Sequence, residues 1–179
     1  MESIQIKNKH FEPFINEKMI GERIEEMAAK INADFEGKNP IFLCVLNGAF
    51  MFAADLLKHV KIPCEIDFIK LKSYQGTKSQ GNVRELYGLS ENIENRHIII
   101  VEDIVDTGLT IKCLTENLKA RKPASVKIST LLFKPNAMTT NIKPDYVAME
   151  IPNDFIVGYG LDYDGLGRNL KNIYRLKLC

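Results

Sequence analysis

The sequence predicts an α/β fold, a mainly parallel central sheet flanked by helices, and three observations carry that expectation. Strand-like and helix-like patterns alternate along most of the chain, which is how a parallel sheet with helices on both faces is built. Ile98 to Val101 are four consecutive apolar residues, as in a strand covered on both sides. That run passes straight into Glu102, Asp103 and Asp106, then a Thr107-Gly108 turn and a helical pattern. Acids therefore stand at the carboxyl end of a buried strand, the edge at which open α/β sheets bind ligands.

Taken in order, Ile4 to Phe14 alternates loosely and reaches Pro13, reading as an extended opening segment. From Asn16 to Asn32, Met19, Ile20, Ile24, Met27, Ala28 and Ile31 recur at helical spacing, giving an amphipathic helix that stops near Asp34 to Gly37. Ile41 to Leu46 is a buried strand, Asn47-Gly48 a turn, and Ala49 to His59 the returning helix. Cys64 to Leu71 is the next strand. Lys72 to Asn82 (KSYQGTKSQGN) is too polar to pack a core and reads first as a solvated connection, although a loop of this length is also often a lid. Val83 to Leu89 reads as a return strand ahead of the central one. A helix from Leu109 to about Arg121 follows, with Ile111, Leu114 and Leu118 on one face. Val126 to Phe133, Asp145 to Ile151 and Phe155 to Tyr159 are the remaining strands.

At 179 residues the chain fits one domain, 1–179, large enough to fold around its own core. Lysine and arginine number 24 against 23 acids, so the overall basic excess expected of a nucleic-acid partner is missing. Cys44, Cys64, Cys113 and Cys179 form no C-x-x-C pair and read as reduced, mostly buried thiols, which points to the cytoplasm. Asn47, Gly48 and Asp55 interrupt the longest apolar region, and no membrane partner is expected.

The glycines suggest motifs that do not hold. Gly158-Tyr159-Gly160 begins like a dinucleotide fingerprint, but Tyr163 stands where the third glycine belongs. Asp162, Asp164 and Gly165 begin like a calcium loop, but its last ligand position is Ile173. What remains is Glu102-Asp103-Ile104-Val105-Asp106-Thr107-Gly108-Leu109-Thr110. A tight turn opening a helix offers amides and hydroxyls to a phosphate monoester, and the acids upstream suit sugar hydroxyls or a hard cation. The plainer alternative is an acidic loop that caps the helix, with Asp106 or Thr107 as N-cap.

This stretch resembles the phosphoribosyl pyrophosphate signature of type I phosphoribosyltransferases, two acids followed by D-T-G-x-T. The chain resembles their hypoxanthine-guanine branch at intervals from about Ile41 to Arg168. Leu46-Asn47-Gly48-Ala49 is similar to its first pyrophosphate loop and Ser73-Tyr74 to the start of its lid. Leu131-Leu132-Phe133-Lys134 is similar to its purine-reading segment, and Asp154 to Arg168 to its base-stacking and pyrophosphate segment.

The resemblance implies a hood built from terminal segments, a cis peptide entering or within the Asn47 loop, and assembly into a homodimer or homotetramer. It implies transfer of a 5-phosphoribosyl group to N9 of a 6-oxopurine with Mg²⁺ as cofactor. In that scheme Asp106 is the acid-base group at purine N7. Glu102 and Asp103 take the ribose hydroxyls, and Thr107, Gly108, Leu109 and Thr110 take the 5-phosphate. Asn47, Gly48 and Arg168 hold pyrophosphate; Lys134, Phe155, Ile156 and Asp162 surround the base; and Glu102, Asp103 and Asp162 attend the metal. A sensor that keeps the pocket but binds nucleic acid elsewhere is the competing class, while an orotate or adenine enzyme is the nearer alternative.

Overall fold

The computed structural model describes residues 2–73, 83–87 and 92–177. A six-stranded sheet runs in the order β5-β4-β3-β6-β7-β8. Its strands are β3 (Ile41–Leu46), β4 (Glu65–Ser73), β5 (Val83–Tyr87), β6 (His97–Val105), β7 (Ser125–Phe133) and β8 (Tyr146–Glu150). Five are mutually parallel and only β5, at the edge, is antiparallel to its neighbour.

The sheet separates two cores because successive side chains of a strand point to opposite faces. Ile99 and Val101 join a cluster with Ile20, Ile24, Met27 and Ile31 of α1 (Glu17–Asp34) and with Phe52 and Leu56 of α2 (Phe50–His59). Ile98 and Ile100 face the other way, against Ile111, Leu114 and Leu118 of α3 (Leu109–Lys119). Each fully buried isoleucine or leucine contributes about 1.5–3 kcal/mol of transfer free energy, so the unbroken apolar run in β6 secures both layers. Asn16 starts α1 by accepting the Met19 N–H at 2.8 Å, and Glu17 supplies an acid in the first turn.

The opening segment differs from expectation. Instead of one extended run, β1 (Ile4–Ile6) and β2 (Lys9–Ile15) form an antiparallel hairpin. A second, four-stranded antiparallel sheet in the order β1-β2-β10-β9 is completed by β9 (Ile156–Val157) and β10 (Ile173–Leu176). This is the hood of terminal segments. The last segment read as Phe155 to Tyr159 is only two residues of strand and belongs to the hood rather than the central sheet.

Cys44 is buried, and burial pushes its thiol up to about 12, whereas Cys64 and Cys113 are half-buried; all three are free. No helix among the described residues is long and apolar enough to cross a membrane.

Candidate active site

Strand β6 is longer than its apolar run. Pairing with β7 continues through Glu102↔Thr130, Ile104↔Leu132 and Val105↔Phe133, so Glu102 and Asp103 lie within the strand. Both acids are consequently buried, 9% and 8% exposed, where the sequence suggested an open strand end. Burial raises the Glu102 carboxyl well above the usual range, and the adjoining Asp103 charge adds to the effect. Burial also raises Asp103, against hydrogen bonds from Glu102 and the Ile104 amide and the positive charge of Arg168. Oε2 of Glu102 is buried with no hydrogen-bond partner.

Three chain segments converge on Asp103. The Leu46–Asn47 peptide is cis, and Gly48 follows so close to Asp103 that a Cβ there would lie 1.6 Å from its Oδ2. Gly160, at φ +98°, lies against Gly48 in turn, its own Cβ position falling 2.0 Å from the Gly48 carbonyl oxygen. Only glycine fits there, because the obstacle is backbone and the φ is left-handed. Nη1 of Arg168 donates to the Gly160 carbonyl at 2.7 Å, and its Nη2 pairs with Oδ1 of Asp162 at 2.5 Å. The second Asp162 oxygen accepts the Gly165 N–H at 2.7 Å. Asn47, Gly48, Asp103, Asp162 and Arg168 are thus linked through short contacts, with Asp162 and Arg168 paired to each other.

The turn after β6 presents Asp106, Thr107, Leu109 and Thr110 on the surface, with Gly108 buried between them. Gly108 is the N-cap of α3 at φ +79° and has no capping side chain of its own, while Oγ1 of Thr107 accepts the Leu109 N–H at 3.4 Å. Asp106 and Thr107 are therefore not at its N-cap position, and a helix N-terminus attracts an anion through its first amides and its dipole. Asp106 reaches instead to Lys134 at the end of β7, Nζ to Oδ2 at 3.1 Å. Lys134 is only 8% exposed, far from a solvated strand end.

Phe155 is 44% exposed, with Phe11 at 6.3 Å and Tyr163 at 5.9 Å between ring centroids. Ile156 beside it is buried in the core shared with α1 and α2. Ser73 closes β4, and Tyr74 with the rest of the suggested lid lies outside the described residues.

Several residues of the site carried little signal in the sequence. A 3-10 turn, Pro135–Ala137, leads from Lys134 to Met138, Thr139 and Thr140, which pack on the Thr107-Gly108 turn. Tyr159 ties the glycine segment to α2 by donating its hydroxyl to Asp55. Gly158 and Gly160 were conspicuous as a pair, but their use is close backbone approach, not dinucleotide binding.

Residues 15–164 match the family described as the phosphoribosyl transferase domain. The chain belongs to this family. It is 46% identical over 156 residues to the hypoxanthine-guanine phosphoribosyltransferase of Streptococcus thermophilus, covering 87% of each chain. It is 45% identical over 163 residues to the hypoxanthine-guanine-xanthine phosphoribosyltransferase of Tritrichomonas foetus, covering 90% of this chain and 89% of the relative. A hypoxanthine phosphoribosyltransferase structure from Staphylococcus aureus superposes with a TM-score of 0.89 at 42% identity, over 93% of this chain and 91% of that one. The parallel sheet with its hood is accordingly the type I phosphoribosyltransferase fold, in the hypoxanthine-guanine branch.

Proposed function

We propose that this chain transfers the 5-phosphoribosyl group of phosphoribosyl pyrophosphate to N9 of hypoxanthine or guanine, releasing pyrophosphate in purine salvage. The observation that carries the base assignment is the Lys134–Asp106 pair, an ammonium and a carboxyl 3.1 Å apart. A 6-oxopurine presents two neighbouring acceptors, N7 and O6, on one edge. Asp106, when protonated, meets N7, and Lys134 donates to O6. An amino group at position 6 would leave the buried ammonium facing a second donor, which disfavours adenine.

The departing pyrophosphate gains charge as C1 becomes oxocarbenium-like, so the work of the site is alignment and charge stabilisation. The Thr107 to Thr110 turn is offered to the 5-phosphate, and Arg168 with the Asn47-Gly48 backbone to pyrophosphate. Phe155, nearly half exposed, is the stacking surface for the ring, and Ile156 offers backbone groups. By resemblance alone, Ser73 and Tyr74 are assigned to the start of the lid.

Mg²⁺ suits the donor set. The unpartnered Glu102 oxygen beside the Asp103 carboxyl is an all-oxygen pair. Among the described residues no cluster of three or more potential ligands exists. A carboxylate or two completed by substrate oxygens is how Mg²⁺ is usually held. Glu102 and Asp103 would hold it, with Asp162 assisting, and when bound it supplies positive charge to the leaving group. The same two residues orient the ribose hydroxyls. We further assign a homodimer or homotetramer, on the half-exposed Ile66 and Phe68 of β4.

Nucleotide formation from hypoxanthine, guanine, xanthine and adenine, each with phosphoribosyl pyrophosphate and with or without Mg²⁺, tests the reading. Turnover of hypoxanthine and guanine that requires Mg²⁺ is expected. Adenine used as well as hypoxanthine would overturn the base assignment, and no turnover with any base would overturn the activity.

A further inference from the structure

The Thr107–Gly108 peptide is held from behind by a segment that no step of the reaction uses. Thr139 donates to the Thr107 carbonyl twice, from its backbone N–H at 3.0 Å and from its Oγ1 at 3.1 Å. A trans peptide unit is planar, with its C=O and N–H pointing in opposite directions. Turning the Thr107 carbonyl toward Thr139 therefore aims the Gly108 N–H away from that segment.

Gly108 is also the place where this plane is least constrained by its own chain. Its φ is +79°, and glycine accepts either sign, so rotation of the preceding peptide meets little steric resistance. What opposes rotation comes from outside. Met138 and Thr140 bracket the glycine, with a Cβ position 2.7 Å from Met138 Cε and 2.6 Å from Thr140 Oγ1. The Thr140 hydroxyl is buried and has no hydrogen-bond partner, so it contributes by packing. Of the three residues, Thr139 alone fixes the direction of the peptide plane.

We propose that Thr139 is a positioning residue, which holds the Thr107–Gly108 peptide so that the Gly108 N–H faces the 5-phosphate of the ribosyl donor. The proposal rests on the assignment of the Thr107 to Thr110 turn to that phosphate. Its consequence is selective: Thr139 acts on affinity for the phosphorylated sugar, not on the purine and not on the chemical step. Both Thr107 and Thr139 are exposed, so water competes for the carbonyl and the effect of one lost bond is moderate.

The test compares the full-length wild type with Thr139→Ala, Thr139→Ser and Thr110→Val. Ribose 5-phosphate binding is measured by calorimetry, alongside kcat and both KM values. Thr139→Ala keeps the backbone bond and loses the hydroxyl, so its Kd for ribose 5-phosphate and its KM for phosphoribosyl pyrophosphate should rise about 3- to 10-fold. Its KM for hypoxanthine, its kcat and its Tm should stay near wild type, and Thr139→Ser should restore the affinity. An unchanged Kd in Thr139→Ala, an equal rise in both KM values, or no rescue by serine would overturn the proposal. Thr110→Val separates the two levels. If it weakens ribose 5-phosphate binding while Thr139→Ala does not, the positioning role alone fails. If neither variant weakens binding, the phosphate assignment itself fails.

Discussion

Asp106 and Lys134 are separated by 28 residues, yet a carboxylate oxygen and the ammonium meet at 3.1 Å because β6 and β7 are parallel neighbours ending at the same edge. Replacing Asp106 with Asn keeps the shape and the contact with lysine but removes the group proposed to exchange a proton with N7. Asp106→Asn should lower kcat about 10²- to 10⁴-fold, with KM values within a few-fold of wild type. Steady-state kinetics on hypoxanthine checks this, and unimpaired turnover would dismiss the acid-base role. Lys134→Gln tests the other half of the pair. An amide can donate to O6 or accept from an amino group, so discrimination between hypoxanthine and adenine should fall by about 10- to 100-fold, read as the ratio of their kcat/KM values. Both residues stand out in the sequence only as members of a motif. Asp106 was legible because the acids follow an apolar run, whereas Lys134 before Pro135 looks like any solvated strand end until the fold buries it.

At the level of elements, regular periodicity was readable and irregular backbone was not. The pattern Ile111, Leu114, Leu118 marks α3 directly, and the apolar run marks the middle of β6. The acids disguise the end of β6, since charged residues ordinarily close a strand, and only the pairing with β7 shows that it continues to Val105. The segment over Asp103 is harder still: it is ordered by a hydroxyl, two glycines and an arginine drawn from different elements, none of which is periodic. Tyr159 is its anchor on α2. Burial alone would raise the Asp55 carboxyl, but hydrogen bonds from Lys58 and Tyr159, with the Lys58 and His59 charges, hold it below the ordinary value. A carboxylate with a depressed folded pKa adds stability that is present above its unfolded value, about 3.9, and lost as pH falls through the folded one. Tyr159→Phe removes one of those hydrogen bonds. The variant should therefore melt below wild type near neutral pH, with the gap narrowing as pH drops to about 4 and lower. Thermal melts of the two proteins across that range measure it, and a gap that stays constant or widens in acid would contradict the coupling.

For the whole molecule, the two sheets divide the labour. The parallel sheet supplies the acids, the Thr107 to Thr110 turn and the lysine from adjacent strand ends, while the hood brings Phe155 and the strap that carries Asp162 and Arg168. The hairpin joins the strap through the Lys7–Asp164 ion pair and the hydroxyl of Tyr163 donating to Asn8 at 3.1 Å. Neither contact shows in the sequence, because their partners lie more than 150 residues apart. One surface is left unexplained by a lone chain. In β4, Ile66 and Phe68 are two residues apart and so share a face, and they are 50% and 48% exposed while Ile69 on the opposite face is 2% exposed. The sequence reads Cys64 to Leu71 as a strand like its neighbours, yet its Ile66 and Phe68 face solvent. Large aliphatic and aromatic side chains at the centre of a contact favour association, and a charge placed among them opposes it. Wild-type protein should accordingly elute as a dimer or tetramer at micromolar concentration, with its mass set by light scattering. Phe68→Glu should shift it toward monomer without altering the far-UV spectrum, since the side chain lies outside both buried cores. A wild-type monomer, or an oligomer indifferent to glutamate at this position, would remove this face as the contact.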